Sequence, residues 1–393
     1  VIFDLVLNHG FGRNAMNRMW MNDPDGNGWG EPSSESPYMN EVATHSYSVG
    51  ADYNHQSELT QYYSQRVIKH WIEEFKIDGF RWDLTKGFTQ NCTANDQNCT
   101  NAYQADRVAV LQQYADYSWS LDPEHYVIFE HLGIDSEEDD WANYRVEEGK
   151  GIMLWGKMTD QYNQLTMGFN SNNDISRMGH LAHGFSGKRV VGYAESHDEE
   201  RLMYKNITYG NSSSGYDITN LNTALGRMSA LGAVSLLIPG PKMIWHFGEL
   251  GMDNSINTCA DGSVTEGIDC KLVTKPQPQW EEGWLDDPNR NSIYYDWARM
   301  NELKINAEVF EGNYSITTNT LTPKIYIWDD TIPADQLKNV VVLANFDVTN
   351  QNVTPDFPYA GTWYDLMDDS GSSSISVTST SEPIVLAPGE FKI

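Results

Sequence analysis

The stretch Gly79-Phe80-Arg81-Trp82-Asp83-Leu84-Thr85-Lys86 begins as an apolar run and ends in charge. It reads as a buried strand over Gly79 to Asp83 with polar groups at its carboxyl end. Runs of the same kind occur on both sides: Val1 to Leu7 before Asn8-His9, then Tyr126 to His131, Gly151 to Trp155, Val190 to His197 and Lys242 to Glu249. Helical patterns separate them. Ser57 to Lys76 carries Leu59, Tyr63, Val67, Trp71 and Phe75 at a spacing of four, an apolar stripe along one helix face. Further helices are expected over Ala102 to Leu121, Ser136 to Gly149, Asp174 to His183, Ile218 to Ile238 and Arg290 to Asn306. Strands alternating with helices predict a parallel sheet with crossover helices, an α/β fold. An open doubly wound sheet can stop at six such units, whereas a (β/α)8 TIM barrel needs two more ahead of Val1.

Two segments break the alternation. Phe11 to His55, rich in Asn, Asp, Gly and aromatic residues, is too long for an ordinary connection and predicts a functional excursion after the first strand. Beyond Asn306 the pattern changes to short strands between turns, at Lys324 to Trp328, Val340 to Phe346, Thr362 to Leu366, Ile375 to Thr378 and Ile384 to Ile393. The expected organisation is a catalytic unit over 1–309 with the excursion at 10–55, and a C-terminal antiparallel β domain, a β-sandwich, over 310–393.

Composition narrows the partners. Of 393 residues, 55 are acidic and 26 basic, so the formal charge is −29. Nucleic acid and anionic membrane surfaces are poor partners for such a chain. The longest nearly apolar stretch, Ala230 to Ile238, is far below the roughly 20 residues of a membrane span. Cysteines fall as two local pairs, Cys92 with Cys99 and Cys259 with Cys270, without any Cys-x-x-Cys ligand pair. Two short-loop disulfides are expected, and with them an oxidising compartment: extracellular, periplasmic or cell-surface. Asn-x-Ser/Thr sequons at Asn91, Asn98, Asn206, Asn211, Asn313 and Asn352 agree with secretion.

In a parallel barrel, chemistry sits at the carboxyl ends of strands. Here those ends carry Asn8-His9, Asp83, Glu130-His131 and Glu195-Ser196-His197-Asp198. Singly, each acid reads as a helix cap and each histidine as a structural hydrogen bond. As an ordered set they resemble the α-amylase superfamily, glycoside hydrolase family 13. Asp4-Leu-Val-Leu-Asn8-His9 is similar to the family's first motif, Gly79-Phe-Arg81-Trp-Asp83-Leu-Thr-Lys86 to the second, Glu130 after Val127-Ile128-Phe129 to the third, and His197-Asp198 to the fourth.

The resemblance implies Asp83 as nucleophile, Glu130 as general acid/base and Asp198 as the third carboxylate, with His9, Arg81 and His197 in the same subsite and Lys86 facing a neighbouring sugar. It implies an α-glucan substrate, cleaved at α-1,4-glucosidic bonds with retention. It also implies a domain B in the excursion and a chain lacking its first two barrel strands, completed by an N-terminal segment or a separate chain. The physics suits those roles. A retaining pair needs two carboxyls roughly 5 Å apart, one of them protonated near neutral pH. Arg81, two residues before Asp83, points to the same strand face. It is placed to keep Asp83 ionised, while burial is expected to raise the Glu130 pKa.

Departures are visible. Gly87 stands where the family often has His, and Ser196 where it often has Asn. Glu195-Ser196-His197-Asp198 resembles glucan-branching relatives, so a transglycosylase is the alternative, with a non-catalytic α-glucan-binding protein as a third reading. Asn8 matches a common calcium ligand, and Asp23, Asp25 or Asp52 offers further oxygens, against the alternative of ordinary Asx turns. Trp155 and Trp245 are the expected sugar-stacking platforms, ahead of Trp20, Trp29 and Tyr38. His180-Leu-Ala-His183 resembles half of a metal helix, but no carboxylate motif accompanies it in sequence.

Overall fold

The structure, a computed structural model, describes residues 1–265, 270–271 and 279–393. They divide into two compact units, Val1–Trp155 with His183–Val190, and Gly156–Ala182 with Val191–Ile393.

The first unit is built on parallel strands β1 (Ile2–Leu5), β2 (Gly79–Trp82), β3 (Tyr126–Phe129) and the first three residues of β4 (Met153–Lys157), paired in that order. All four residues of β2 are buried, which is why it reads as a continuous run and not as an alternating one. Gly79 is required by its neighbours: a Cβ there would lie 2.6 Å from both Ile2 Cδ1 and Tyr126 Cβ. Crossover helices follow β1, β2 and β3 as α1 (Glu58–Phe75), α2 (Ala105–Leu121) and α3 (Asp135–Ala142). The expected stripe on α1 is displaced by one residue. Its buried face is Thr60, Ser64, Ile68 and Ile72, while Leu59 and Phe75 are exposed. Tyr63, Val67 and Trp71 are partly buried against the same core, so the expected stripe lies at its edge and the neighbouring row at its centre. The core centres on aromatics: Trp82 stacks on Tyr114 at 5.5 Å, and Phe129 meets the edge of Trp141 at 5.3 Å.

In the second unit, β5 (Val190–Tyr193) and β6 (Lys242–Met243) run parallel. The strand expected to reach Glu249 stops at Met243 and is followed by a 3-10 turn over Gly248–Leu250. Helices α4 (Thr159–Thr166) and α5 (Leu202–Tyr209) were not among the helices expected from the sequence. The helix expected over Ile218 to Ile238 is two, Leu221–Leu225 and α6 (Met228–Leu236). The break lets Arg227 turn inward and donate to the carbonyls of Thr166 and Phe346. The helix expected near Asp174 is instead two 3-10 turns, Ser176–Met178 and His180–His183. At the Gly179 between them a Cβ would lie 2.3 Å from the Tyr314 hydroxyl.

After α7 (Pro288–Asn306), a four-stranded antiparallel sheet joins Asn313–Thr317, Lys324–Trp328, Asn339–Ala344 and Phe391–Lys392. Val340, Val342 and Ala344 face the core that contains α6; Val341 and Leu343 face a second core with Val353, Phe357, Val377 and Leu386. Period-two alternation with both faces apolar makes this strand the middle of a layered structure.

Candidate active site

Arg81 is the hub of the first unit. From β2 its Nη1 reaches Asp4 Oδ1 at 2.6 Å and Asp83 Oδ1 at 2.8 Å, while Nη2 lies 2.7 Å from Glu130 Oε2. Three carboxylates from three successive strands thus share one guanidinium. Burial disfavours the Arg81 charge, but Glu130, Asp4 and Asp83 outweigh it and hold its pKa above the ordinary value. Trp155, in the middle of β4, is buried and backs the guanidinium at 4.3 Å in a cation–π contact.

Each carboxylate has a second tether. Asn8, fully buried, donates from Nδ2 to Asp83 Oδ2 at 3.0 Å and to the Asp83 carbonyl at 2.9 Å. The Leu84 N–H donates to Glu130 Oε2 at 3.0 Å. Leu84 achieves this in a left-handed conformation, φ 42°, uncommon for a branched side chain and a local cost tolerated where the surroundings enforce it. His9 packs beside Asn8, with Nδ1 against the amide oxygen. Burial lowers its pKa, opposed by Asp83, so His9 is neutral at neutral pH.

Beneath these residues lies a fully buried network. Arg107 donates from Nε to Glu137 Oε1 at 2.8 Å, and from Nη1 to the carbonyls of Thr100 and Lys86 at 3.0 and 3.1 Å. His131 pairs with Glu137 Oε2 at 3.1 Å and with Thr85 Oγ1 at 3.0 Å. The network therefore fixes the segment that carries Thr85 and Lys86. Lys86 sits 5.3 Å above the Tyr47 ring, its pKa lowered by burial and by Arg107. A Cβ at Gly87 would lie 2.8 Å from Asn8 Cβ and 3.1 Å from His45 Nε2. Any side chain at Gly87 would therefore meet both Asn8 and His45.

Asp52, Asp23 and Asn8, three of the oxygen donors singled out for calcium, have protein partners. Asp52 accepts from Asn40 Nδ2 at 2.7 Å and Thr44 N–H at 3.1 Å, and pairs with His45 Nε2 at 3.1 Å. Asp23 accepts from the N–H groups of Asn27 and Gly28 at 3.0 and 2.8 Å, an Asx-type turn. The Asn8 amide is shared between Asp83 and His9. Trp20 packs on Tyr38 at 5.6 Å, and the exposed Trp29 lies under Arg13 at 4.8 Å.

The fourth motif lies in the second unit. His197 Nε2 stands 3.5 Å from Asp198 Oδ2, and its ring is 5.9 Å from half-buried Trp245. Asp198 is also met by Lys271, whose Nζ donates to the carbonyl at 2.8 Å and to Oδ1 at 3.2 Å. Sequence reasoning missed Lys271; its one signal is its position directly after Cys270. Both expected disulfides, Cys92–Cys99 and Cys259–Cys270, are present. Glu195 is structural: buried, it accepts the Leu202 N–H at 2.8 Å at the start of α5 and pairs with Arg201 at 3.4 Å.

No family model and no curated protein matches this chain. Solved structures do, over its whole length. An Anoxybacillus α-amylase aligns at 14% identity and TM-score 0.63, with 74% of that chain covered. The α-amylase of Geobacillus thermoleovorans, complexed with acarbose, aligns at 13% identity and TM-score 0.64, with 76% covered. The pullulanase of Anoxybacillus sp. LM18-11, complexed with maltotetraose, aligns at 14% identity and TM-score 0.64, with 53% covered. This chain has the fold of α-amylases and pullulanases, and it spans about half the length of the pullulanase chains it matches.

Proposed function

We propose that this chain is a retaining glycoside hydrolase that cleaves α-1,4-glucosidic bonds in starch- or glycogen-type α-glucans. The observation that carries this reading is the single guanidinium of Arg81 holding Asp83 and Glu130 side by side. That arrangement suits the short spacing of a retaining pair, about 5–5.5 Å, which leaves no room for a water between the carboxyls. Asp83 attacks the anomeric carbon as Glu130 gives its proton to the departing oxygen, and the C–O bond breaks to leave a glycosyl ester on Asp83. Glu130 then takes a proton from water, whose oxygen displaces Asp83 from the same carbon. Arg81 and Asn8 orient Asp83, so that it does not reorganise as charge moves. Asp198, with His197, holds sugar hydroxyls whose hydrogen bonds strengthen as the ring flattens.

The named ligands of the similar structures, maltotetraose and acarbose, support an α-glucan substrate. The barrel architecture, the domain roles of 10–55 and 310–393, and an extracytoplasmic location supported by the two disulfides belong to the same proposal. Among the described residues, no helix is long and apolar enough to cross a membrane. A transglycosylase such as a branching enzyme, suggested by Glu195-Ser196, is the alternative that the assay below separates.

Incubation with amylose, following reducing ends and iodine absorbance together, tests the reading. New reducing ends with falling colour are expected, and Asp83→Asn is expected to remove them by at least about 10³-fold. Lost colour without new reducing ends identifies a transglycosylase. Unchanged activity in Asp83→Asn would falsify the nucleophile assignment.

A further inference from the structure

The pair His180 and His183 has no carboxylate motif beside it in sequence, but the fold supplies one. We propose that Asp135, Glu138 and His183 form a binding site for a divalent transition-metal ion of the zinc type. Asp135 and Glu138 are three residues apart on α3, hence on one face of the helix. His183 Nδ1 stands 3.7 Å from Asp135 Oδ1 and 3.8 Å from Glu138 Oε2. One donor atom from each residue lies within 4.8 Å of the other two.

These separations are too long for direct N–H···O bonds, which fall at about 2.7–3.2 Å. They fit ligands around a common ion: zinc bonds of about 2.0–2.1 Å put tetrahedral ligands roughly 3.4 Å apart. The His183 and Glu138 side chains are 5% and 2% exposed, so the cluster is not a set of solvated surface acids. Glu138 has the outer support that ligating carboxylates carry, since its Oε1 accepts the Gly133 N–H at 3.0 Å while Oε2 faces the histidine. Phe185 packs on the imidazole at 5.1 Å. Asp135 is half-exposed and provides the approach.

The donor set names the class of ion. One imidazole nitrogen with two carboxylates suits zinc and its neighbours, whereas calcium needs six to eight oxygens. The ion joins α3 to the segment beginning at His183, both in the first unit, and uses none of the residues assigned to glycoside cleavage. The inference therefore stands apart from the proposed activity.

The test is calorimetric titration of the chelator-stripped protein with Zn²⁺, with Tm measured in parallel. One equivalent is expected to bind and to raise Tm. His183→Ala and Glu138→Gln are each expected to weaken binding at least about tenfold, and Asp83→Asn to leave it unchanged. Should His183→Ala fail to fold, Asp135→Asn, altering the half-exposed ligand, gives the same reading. No zinc binding by the wild type, equal affinity in the ligand variants, or preference for Ca²⁺ over Zn²⁺ overturns the proposal.

Discussion

Asp83 and Asp198 are both exposed enough to meet a sugar, yet their surroundings differ. Asp83 follows a buried strand; Arg81 and Asn8 hold its two oxygens, and those partners are themselves buried. Asp198 stands in a bend, its side chain 48% exposed, and is met by His197 and by a lysine beside a disulfide loop. The first environment spends conformational freedom during folding, so that geometry is ready before substrate arrives. The second keeps more freedom, which under the proposed mechanism suits a group that gains hydrogen bonds only as the sugar distorts.

The contrast can be broken most sharply at Arg81. Arg81→Met leaves Asp4, Asp83 and Glu130 facing one another without a cation, and kcat/KM for amylose is expected to fall by about 10²–10³-fold. Arg81→Lys is expected to recover little of this, because an ammonium cannot replace a planar fork shared by three acids. Retention of more than a tenth of wild-type activity in Arg81→Met would place the organising force elsewhere.

Next in size is the support beneath the site. Arg107→Met strands Glu137 in the core and is expected to cost about 3–5 kcal/mol in urea unfolding, with no comparable effect from substitutions near Asp198. A normal unfolding midpoint would show that the network contributes little.

Acid provides a third test. His55 donates from Nε2 to the Leu7 carbonyl at 2.7 Å, so Nδ1 accepts from the Tyr114 hydroxyl at 2.9 Å and the ring is neutral. Burial, only partly offset by that bond to Leu7, pushes its pKa down from 6.5 to about 4. The unfolded chain therefore binds a proton that the folded one refuses. Stability is full above pH 6.5 and falls as the pH drops from there toward 4, by about 3 kcal/mol from this residue. His55→Gln should flatten that part of the stability–pH curve; an unchanged slope removes His55 from the account.

The smallest effect belongs to the second region. Lys271→Ala removes an exposed ion pair and is expected to change stability by less than about 1 kcal/mol. Its effect on kcat/KM should stay within about tenfold and diminish with added salt. A loss as large as that of Arg81→Met would mean that Asp198 is held as firmly as Asp83.

The buried strands were legible because buried parallel strands demand unbroken apolar runs; Asp83 and Glu130 stand directly after β2 and β3, whereas β5 ends at Tyr193, before Asp198 is reached. Helices α4 and α5 were missed, and the stripe on α1 was misplaced by a residue because sequence spacing does not say which face is more tightly packed. The carboxylates and the cysteine pairs were properties of local sequence. Tertiary structure alone decided that Arg81 joins three acids over Trp155, that Arg107, Glu137 and His131 support the Lys86 segment, that Lys271 meets Asp198, and that Asp135 and Glu138 face His183. The physical reason is range: a strand or turn is written in neighbouring residues, whereas a side-chain network depends on which distant backbones the packed core brings within a few ångströms.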